Sequence, residues 1–245
     1  MMMNTAKRGI DVSRWQGNID WAQAKKSGLV DFAIIQAGYG KESNQVDEQF
    51  ENNYKGCKAN NIPCGAYWYS YATTVEDAER EANVCIATLK GKQFEYPIYF
   101  DIEEPRQQLG MGKVSAIVST FCNKLEAAGY WVGIYSNRSF LKTYITEELR
   151  RRYAVWIAEY DTMKPLYESP YGIWQKSSKG KILGISGNVD LNEGYVDYPS
   201  AIKSAGKNGY TKPVMQQSAK PTEKKKVKVE VLLDGHKYSG FLEEV

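Results

Sequence analysis

The stretch Tyr99-Phe100-Asp101-Ile102-Glu103 sets two carboxylates two residues apart, alternating with Phe100 and Ile102. In a β-strand that spacing sends Tyr99, Asp101 and Glu103 to one face and the apolar pair to the other. Carboxylates on the inward face of a core strand cost too much desolvation to persist without a role. The chemistry that asks for such a pair is acid-assisted cleavage through a cationic transition state, as in glycosidic hydrolysis. One carboxyl donates a proton to the leaving oxygen and the other stabilises positive charge.

Two further acids have similar settings: Asp11 in Gly9-Ile10-Asp11-Val12-Ser13, and Asp190 in Asn188-Val189-Asp190-Leu191-Asn192. If the first and last strands of a closed sheet are neighbours, all four acids meet at one end. Clustered like charges raise the pKa of at least one member, which then holds a proton near neutrality. A structural reading stands beside this one for Asp11 and Asp190, as a turn cap and a local loop acceptor.

These acids need a scaffold that gathers distant segments. Strand-length apolar runs occur at 9–13, 32–38, 64–71, 97–103, 131–136, 155–160, 172–176 and 188–191, eight in all, the number that closes an α/β barrel. Helical signals separate the earlier runs. Asn18 precedes Ile19 to Ala24 as an N-cap, and Thr73 with Glu76 forms a capping box. Val114, Ile117, Val118, Phe121 and Leu125 share one helix face that ends at Gly129. After Trp131 strands six, seven and eight follow with only one short helical stretch, Glu147 to Arg152, among them, so this last part of the barrel is expected to be strand-rich. Active sites of such barrels sit at the C-terminal ends of the strands, where Glu103 is expected.

Composition excludes several alternatives. The chain has 245 residues, 42% of them hydrophobic and 25% charged, which suits one main globular domain. Its net charge of +3 comes from the tail: residues 206–245 hold eight Lys and five acids, leaving 24 of each sign before them. A neutral body of this kind lacks the basic stripe of a nucleic-acid-binding surface. Cys57, Cys64, Cys85 and Cys122 form no C-x-x-C pair and His236 is the one histidine, so neither a metal site nor a cofactor is expected. The thiols are read as reduced. No run approaches the ~18 apolar residues of a membrane span, so membrane insertion is not expected. The segment Met1 to Arg8 lacks the apolar stretch of a secretory signal, which predicts synthesis in the cytoplasm.

Residues 1–205 are expected to form the catalytic barrel, 206–226 a polar, Lys-rich linker with Pro213 and Pro221, and 227–245 a β-hairpin. Val227, Val229, Val231 and Leu233 alternate with polar residues before the Asp234-Gly235 turn. A lone hairpin is marginal in water, so it is expected to dock on the barrel, on another copy of the chain as a homo-oligomer, or on a further wall component.

Five segments together carry a resemblance: Asp11 to Trp21, Tyr99 to Glu103, Gly133-Ile134-Tyr135-Ser136, Val155-Trp156-Ile157-Ala158 and Val189-Asp190-Leu191-Asn192. In this order they resemble glycoside hydrolase family 25, the N-acetylmuramidases of phage endolysins and bacterial autolysins, over roughly residues 7–199. The resemblance implies a flattened TIM-like (β/α)5(β)3 barrel, α/β in class, that cleaves the β-1,4 bond between N-acetylmuramic acid and N-acetylglucosamine in peptidoglycan. It implies Glu103 as general acid, Asp101 as transition-state stabiliser, and Asp11 and Asp190 as flanking carboxylates. Tyr67, Tyr69, Tyr135, Trp156 and Gln175 fall where sugar contacts are expected, with core packing the alternative for each. One position departs from the pattern: Gln36 stands where a basic residue is common.

An endolysin-like enzyme made in the cytoplasm reaches the wall only after another agent releases it. Two other readings remain at this level: a sugar-binding module that has lost catalysis, and a hydrolase of another N-acetylglucosamine polymer.

Overall fold

The computed structural model describes residues 6–213 and 227–242, which fall into two compact units, one ending at Lys212 and one beginning at Pro213. In the first unit eight strands close a barrel in sequence order: β1 (Lys7–Val12), β2 (Phe32–Tyr39), β3 (Cys64–Tyr69), β4 (Ile98–Asp101), β5 (Val132–Asn137), β6 (Ala154–Ala158), β7 (Ile173–Gly180) and β8 (Val189–Gly194). All eight expected strands are present. Strands β1 to β7 run parallel, but β8 is antiparallel to both β7 and β1, because a hairpin with no crossover helix joins it to β7.

The two-residue period divides each strand between two cores. One set, including Ile10, Ile35, Trp68, Phe100 and Ile134, packs beneath the helices. Phe100 stacks on Phe121 of a covering helix at 4.1 Å between ring centroids, a burial that contributes about 2–3 kcal/mol per ring. The other set, including Phe32, Ile34, Tyr99, Trp156 and Ile173, fills the barrel. Glycine makes room for the largest of these rings. A Cβ at Gly9 would lie 2.2 Å from Phe32 Cζ, and one at Gly133 would lie 2.3 Å from Tyr99 Cε1.

The helices are α1 (Trp21–Lys26), α2 (Phe50–Ala59), α3 (Val75–Leu89), α4 (Met111–Ala127), α5 (Arg138–Tyr144), α6 (Glu147–Arg152) and α7 (Tyr198–Ala205). Two caps differ from expectation by one or two positions. Asp20, not Asn18, caps α1 by accepting from Gln23 N–H, and Thr74, not Thr73, caps α3 by accepting from Asp77 N–H. The expectation of a single helical stretch after β5 is also corrected. Asn137 caps α5 through Phe140 N–H, and this seven-residue helix buries Phe140 and Leu141 on too short a span to show a period in sequence. No helix lies between β6 and β7 or between β7 and β8.

Helix α7 closes the lower end of the barrel, placing Tyr198 and Ile202 in the inner core with Phe32 and Tyr96. Beyond it the fully buried Asn208 ties the base together. Its side chain donates to Tyr96 O at 2.9 Å and Phe94 O at 3.2 Å and accepts from Trp131 N–H at 2.7 Å.

In the second unit β9 (Val227–Leu233) and β10 (His236–Leu242) form the expected hairpin around Asp234 and Gly235, whose φ values of 52° and 77° suit a tight primed turn. The segment 214–226, most of the expected linker, lies outside the described residues. All four cysteines are buried free thiols, and no described helix is long and apolar enough to cross a membrane.

Candidate active site

Strand β4 delivers Asp101 to the upper end of the barrel and ends there; Glu103 follows in the loop and is not part of the strand, as the alternation had suggested. It still reaches the same place. Asp11 arrives near the end of β1. Because β8 runs in the opposite direction, its first residues lie at this same end, and Asp190 stands opposite Asp11 in the β1–β8 register. The four carboxylates line one cleft of about 310 Å³. Tyr67, Tyr69, Tyr135, Trp156 and Gln175 line it too, together with Gln36, Tyr160 and Trp15.

A network of buried donors fixes Asp11. Asn192 Nδ2 donates to its Oδ2 at 2.7 Å and Gln175 Nε2 donates to the same atom at 3.0 Å. Gln175 is held in turn by Tyr135 OH, 2.8 Å from its Oε1, and by Tyr160 OH, while Trp156 Nε1 orients Asn192 through a 2.8 Å bond. The polar atoms of Trp156 and Gln175 are thus occupied within the protein, and the two residues are only 1% and 3% exposed.

Burial dominates the electrostatics. It raises the Asp11 carboxyl well above the ordinary range, and neighbouring Asp190 adds to this against the lowering effect of the two amide donors. Asp190, nearer to solvent, is raised to about 6, again chiefly by burial. Asp101 is raised well above its usual value by burial and then by Glu103, and its buried Oδ1 has no hydrogen-bond partner among the described residues. Glu103 is raised by burial, then by Glu104 and Asp190. Among the described residues none of the four acids makes an ion pair, and the nearly buried Gln36 brings no charge to the cleft. In a cluster of four carboxylates without a cation, each neighbour's negative charge favours the protonated form of the others.

The sequence pattern of the glycosyl hydrolases family 25 matches residues 10–185. The chain belongs to that family.

Relatives agree with this placement. YegX of Escherichia coli K12 is 33% identical over 190 residues, covering 75% of this chain and 68% of that protein. The autolytic lysozyme of Clostridium acetobutylicum is 30% identical over 186 residues, covering 76% of this chain and 55% of its own length. The modular autolysin LytC of Streptococcus pneumoniae superimposes with a TM-score of 0.69 at 31% identity, over 78% of this chain and 47% of LytC, and has also been solved with a synthetic peptidoglycan ligand.

For a family 25 hydrolase, glycosidic cleavage calls for a carboxyl with a raised pKa in a solvent-accessible cleft and further negative charge behind it, and the cleft holds carboxyls of both kinds. Glu103 makes no hydrogen bond to the described protein, which leaves its carboxyl available to a ligand, whereas Asp101 is 4% exposed. Sequence reasoning missed three contributors. Asn192 lies two residues after Asp190, and Tyr160 lies four after Trp156, so strand period alone would have placed each on the inner face. Trp15, 79% exposed at the cleft rim with Arg14 5.0 Å from its ring centroid, had no signal beyond lying within the first motif.

Proposed function

We propose that this family 25 hydrolase is a lysozyme that cleaves the β-1,4 bond between N-acetylmuramic acid and N-acetylglucosamine in peptidoglycan, with Glu103 as its general acid. The observation that carries the assignment is that Glu103 lines the cleft with no hydrogen bond to the described residues, its carboxyl pKa raised by burial and acidic neighbours, with the buried Asp101 beside it. The lysozyme and autolysin relatives support peptidoglycan as the substrate.

In this reading Glu103 donates its proton to the glycosidic oxygen as the bond to C1 breaks. The substrate's acetamido oxygen supplies the electron pair to C1, one of the recognised departures from a protein nucleophile. Asp101 stabilises the positive charge that develops, and Asp11 and Asp190 complete the acidic floor. Glu103 then takes a proton from the attacking water. Trp15 offers an exposed ring face to sugar and the half-buried Tyr67 lines the cleft, while Tyr135, Trp156 and Gln175 act by holding the acids that lie beside the substrate.

The unit ending at Lys212 carries the chemistry. The hairpin, with Val231, Leu232, Leu233 and Phe241 exposed, is read as a contact between two copies of the chain. The enzyme is read as made in the cytoplasm and acting on the wall after release.

Muropeptide analysis tests the proposal. Purified peptidoglycan should yield fragments ending in reducing N-acetylmuramic acid, and Glu103→Gln should lower their release at least about a hundredfold. Products ending in reducing N-acetylglucosamine would overturn the bond assignment, and undiminished release by Glu103→Gln would overturn the acid.

A further inference from the structure

Glu103 sits in a loop, yet both of its neighbours in sequence are tied down. On one side Ile102 N–H donates to Tyr135 O at 3.1 Å, and Ile102 O accepts from Ser136 Oγ at 2.6 Å. On the other, Glu104 N–H donates to Gln107 Oε1 at 3.0 Å, and the Glu104 carboxylate accepts from Tyr69 OH at 2.6 Å. Ser136 and Gln107 are fully buried. The Gln107 amide also donates to Ser70 Oγ and Ala72 O, both at 3.1 Å, so the loop is fastened to the segment that follows β3. Fully buried polar side chains that bind backbone on both sides of one residue fix where that residue points.

We propose that Glu104 is a positioning residue for the acid step: with its carboxylate held by Tyr69 and its backbone N–H held by Gln107, it fixes the loop at the residue next to Glu103 and sets a negative charge there. This rests on the reading of Glu103 as general acid. Glu104 faces Tyr69 from β3 and Arg106 from the short turn Pro105–Gln107. Glu103 faces Asp190 from β8, Asp101 from β4, Tyr69 from β3, Tyr135 from β5 and Tyr160 just beyond β6, and Glu104 also faces Asp101. Arg106 offsets Glu104 only weakly. Its guanidinium is 3.8 Å away, 54% exposed, and stacked over Tyr71 at 4.4 Å, a geometry in which solvent screens most of the attraction. After burial, Glu104 is the largest influence raising the Glu103 carboxyl, ahead of Asp190. Because the Tyr69 hydroxyl is engaged by Glu104, Tyr69 acts on the substrate through the acid.

The test is the pH dependence of kcat/KM for peptidoglycan cleavage by Glu104→Gln, which keeps an acceptor for Tyr69 and removes only the charge. A general acid must be protonated, and loss of a neighbouring negative charge lowers its pKa. The alkaline limb should therefore move down by about half a pH unit or more. Tyr69→Phe, which frees Glu104 to turn toward water, should move it in the same direction and serves alone if Glu104→Gln fails to fold. An unmoved limb, with or without a uniform loss of rate, overturns the proposal. Glu103→Gln run alongside separates the two readings: if it retains activity the acid assignment fails, whereas if it is inactive and the limb is unmoved only the role of Glu104 fails.

Discussion

Asp11 and Asp190 are register partners across the antiparallel β1–β8 seam, so the closure of the barrel is what brings these two carboxylates together. Like charges directly opposite one another destabilise a sheet unless a proton is shared between them. Here both carboxyls are shifted upward, and the Asn192 and Gln175 amides attach to Asp11 alone.

The seam therefore gives stability a pH dependence. Asp190 is raised from 3.8 to about 6 in the folded state. A carboxyl raised on folding binds its proton more tightly in the native chain. Its contribution is fully present below 3.8 and is lost as pH rises through about 6. Thermal melts at pH 4 and pH 7 should show a smaller fall in Tm for Asp190→Asn than for the unaltered chain; an equal fall would show that Asp190 is not the titrating partner.

Asn192 holds Asp11 with its amide nitrogen and Trp156 with its amide oxygen. Asn192→Leu leaves a buried carboxylate and a buried indole N–H each short of a partner. Urea unfolding should report a loss of about 2–4 kcal/mol. A change below about 0.5 kcal/mol would mean that neither bond matters for the fold.

Gly133 lies against the Tyr99 ring, with no room for a methyl group. Gly133→Ala should force the ring or the strand to shift and cost about 1–3 kcal/mol. Adding Tyr99→Leu, which removes the ring but leaves the Ala154 carbonyl 2.7 Å from the new methyl, should recover part of that loss in the same denaturation assay, and no recovery would place the strain at that carbonyl.

The hairpin is tested by light scattering of the full chain against one ending at Lys212, a boundary that keeps Asn208 in place at the barrel base. A dimer that becomes a monomer on truncation supports pairing through β9 and β10. Two monomers would exclude it.

Much of the barrel was legible because its signal is local. The eight apolar runs match strands to within a few residues, and Asp101, Asp11 and Asp190 lie on them. Less legible was what depends on partners far away in sequence. Glu103 leaves the strand because Gln107 and Ser136 capture the backbone on either side of it, and no periodicity reports such bonds. Helix α5 was missed because seven residues give two buried side chains and no repeat. Trp156 and Gln175 were read as sugar contacts from their position alone; the structure adds that their polar atoms are already used in holding Asn192 and Asp11.

The donors that fix Asp11 come from 164 and 181 residues further along the chain, and the base is sealed by α7 and Asn208, later still. A nascent chain that has laid down β1 to β6 has the proposed acid, Glu103, but neither Asp190 nor the amides that hold Asp11. Completion of the acidic floor is thus deferred until β7 and β8 have been made, and a chain cut short after β6 lacks Asp190 and both amide donors to Asp11. The topology makes the cleft depend on the whole barrel having been made, first strand to last.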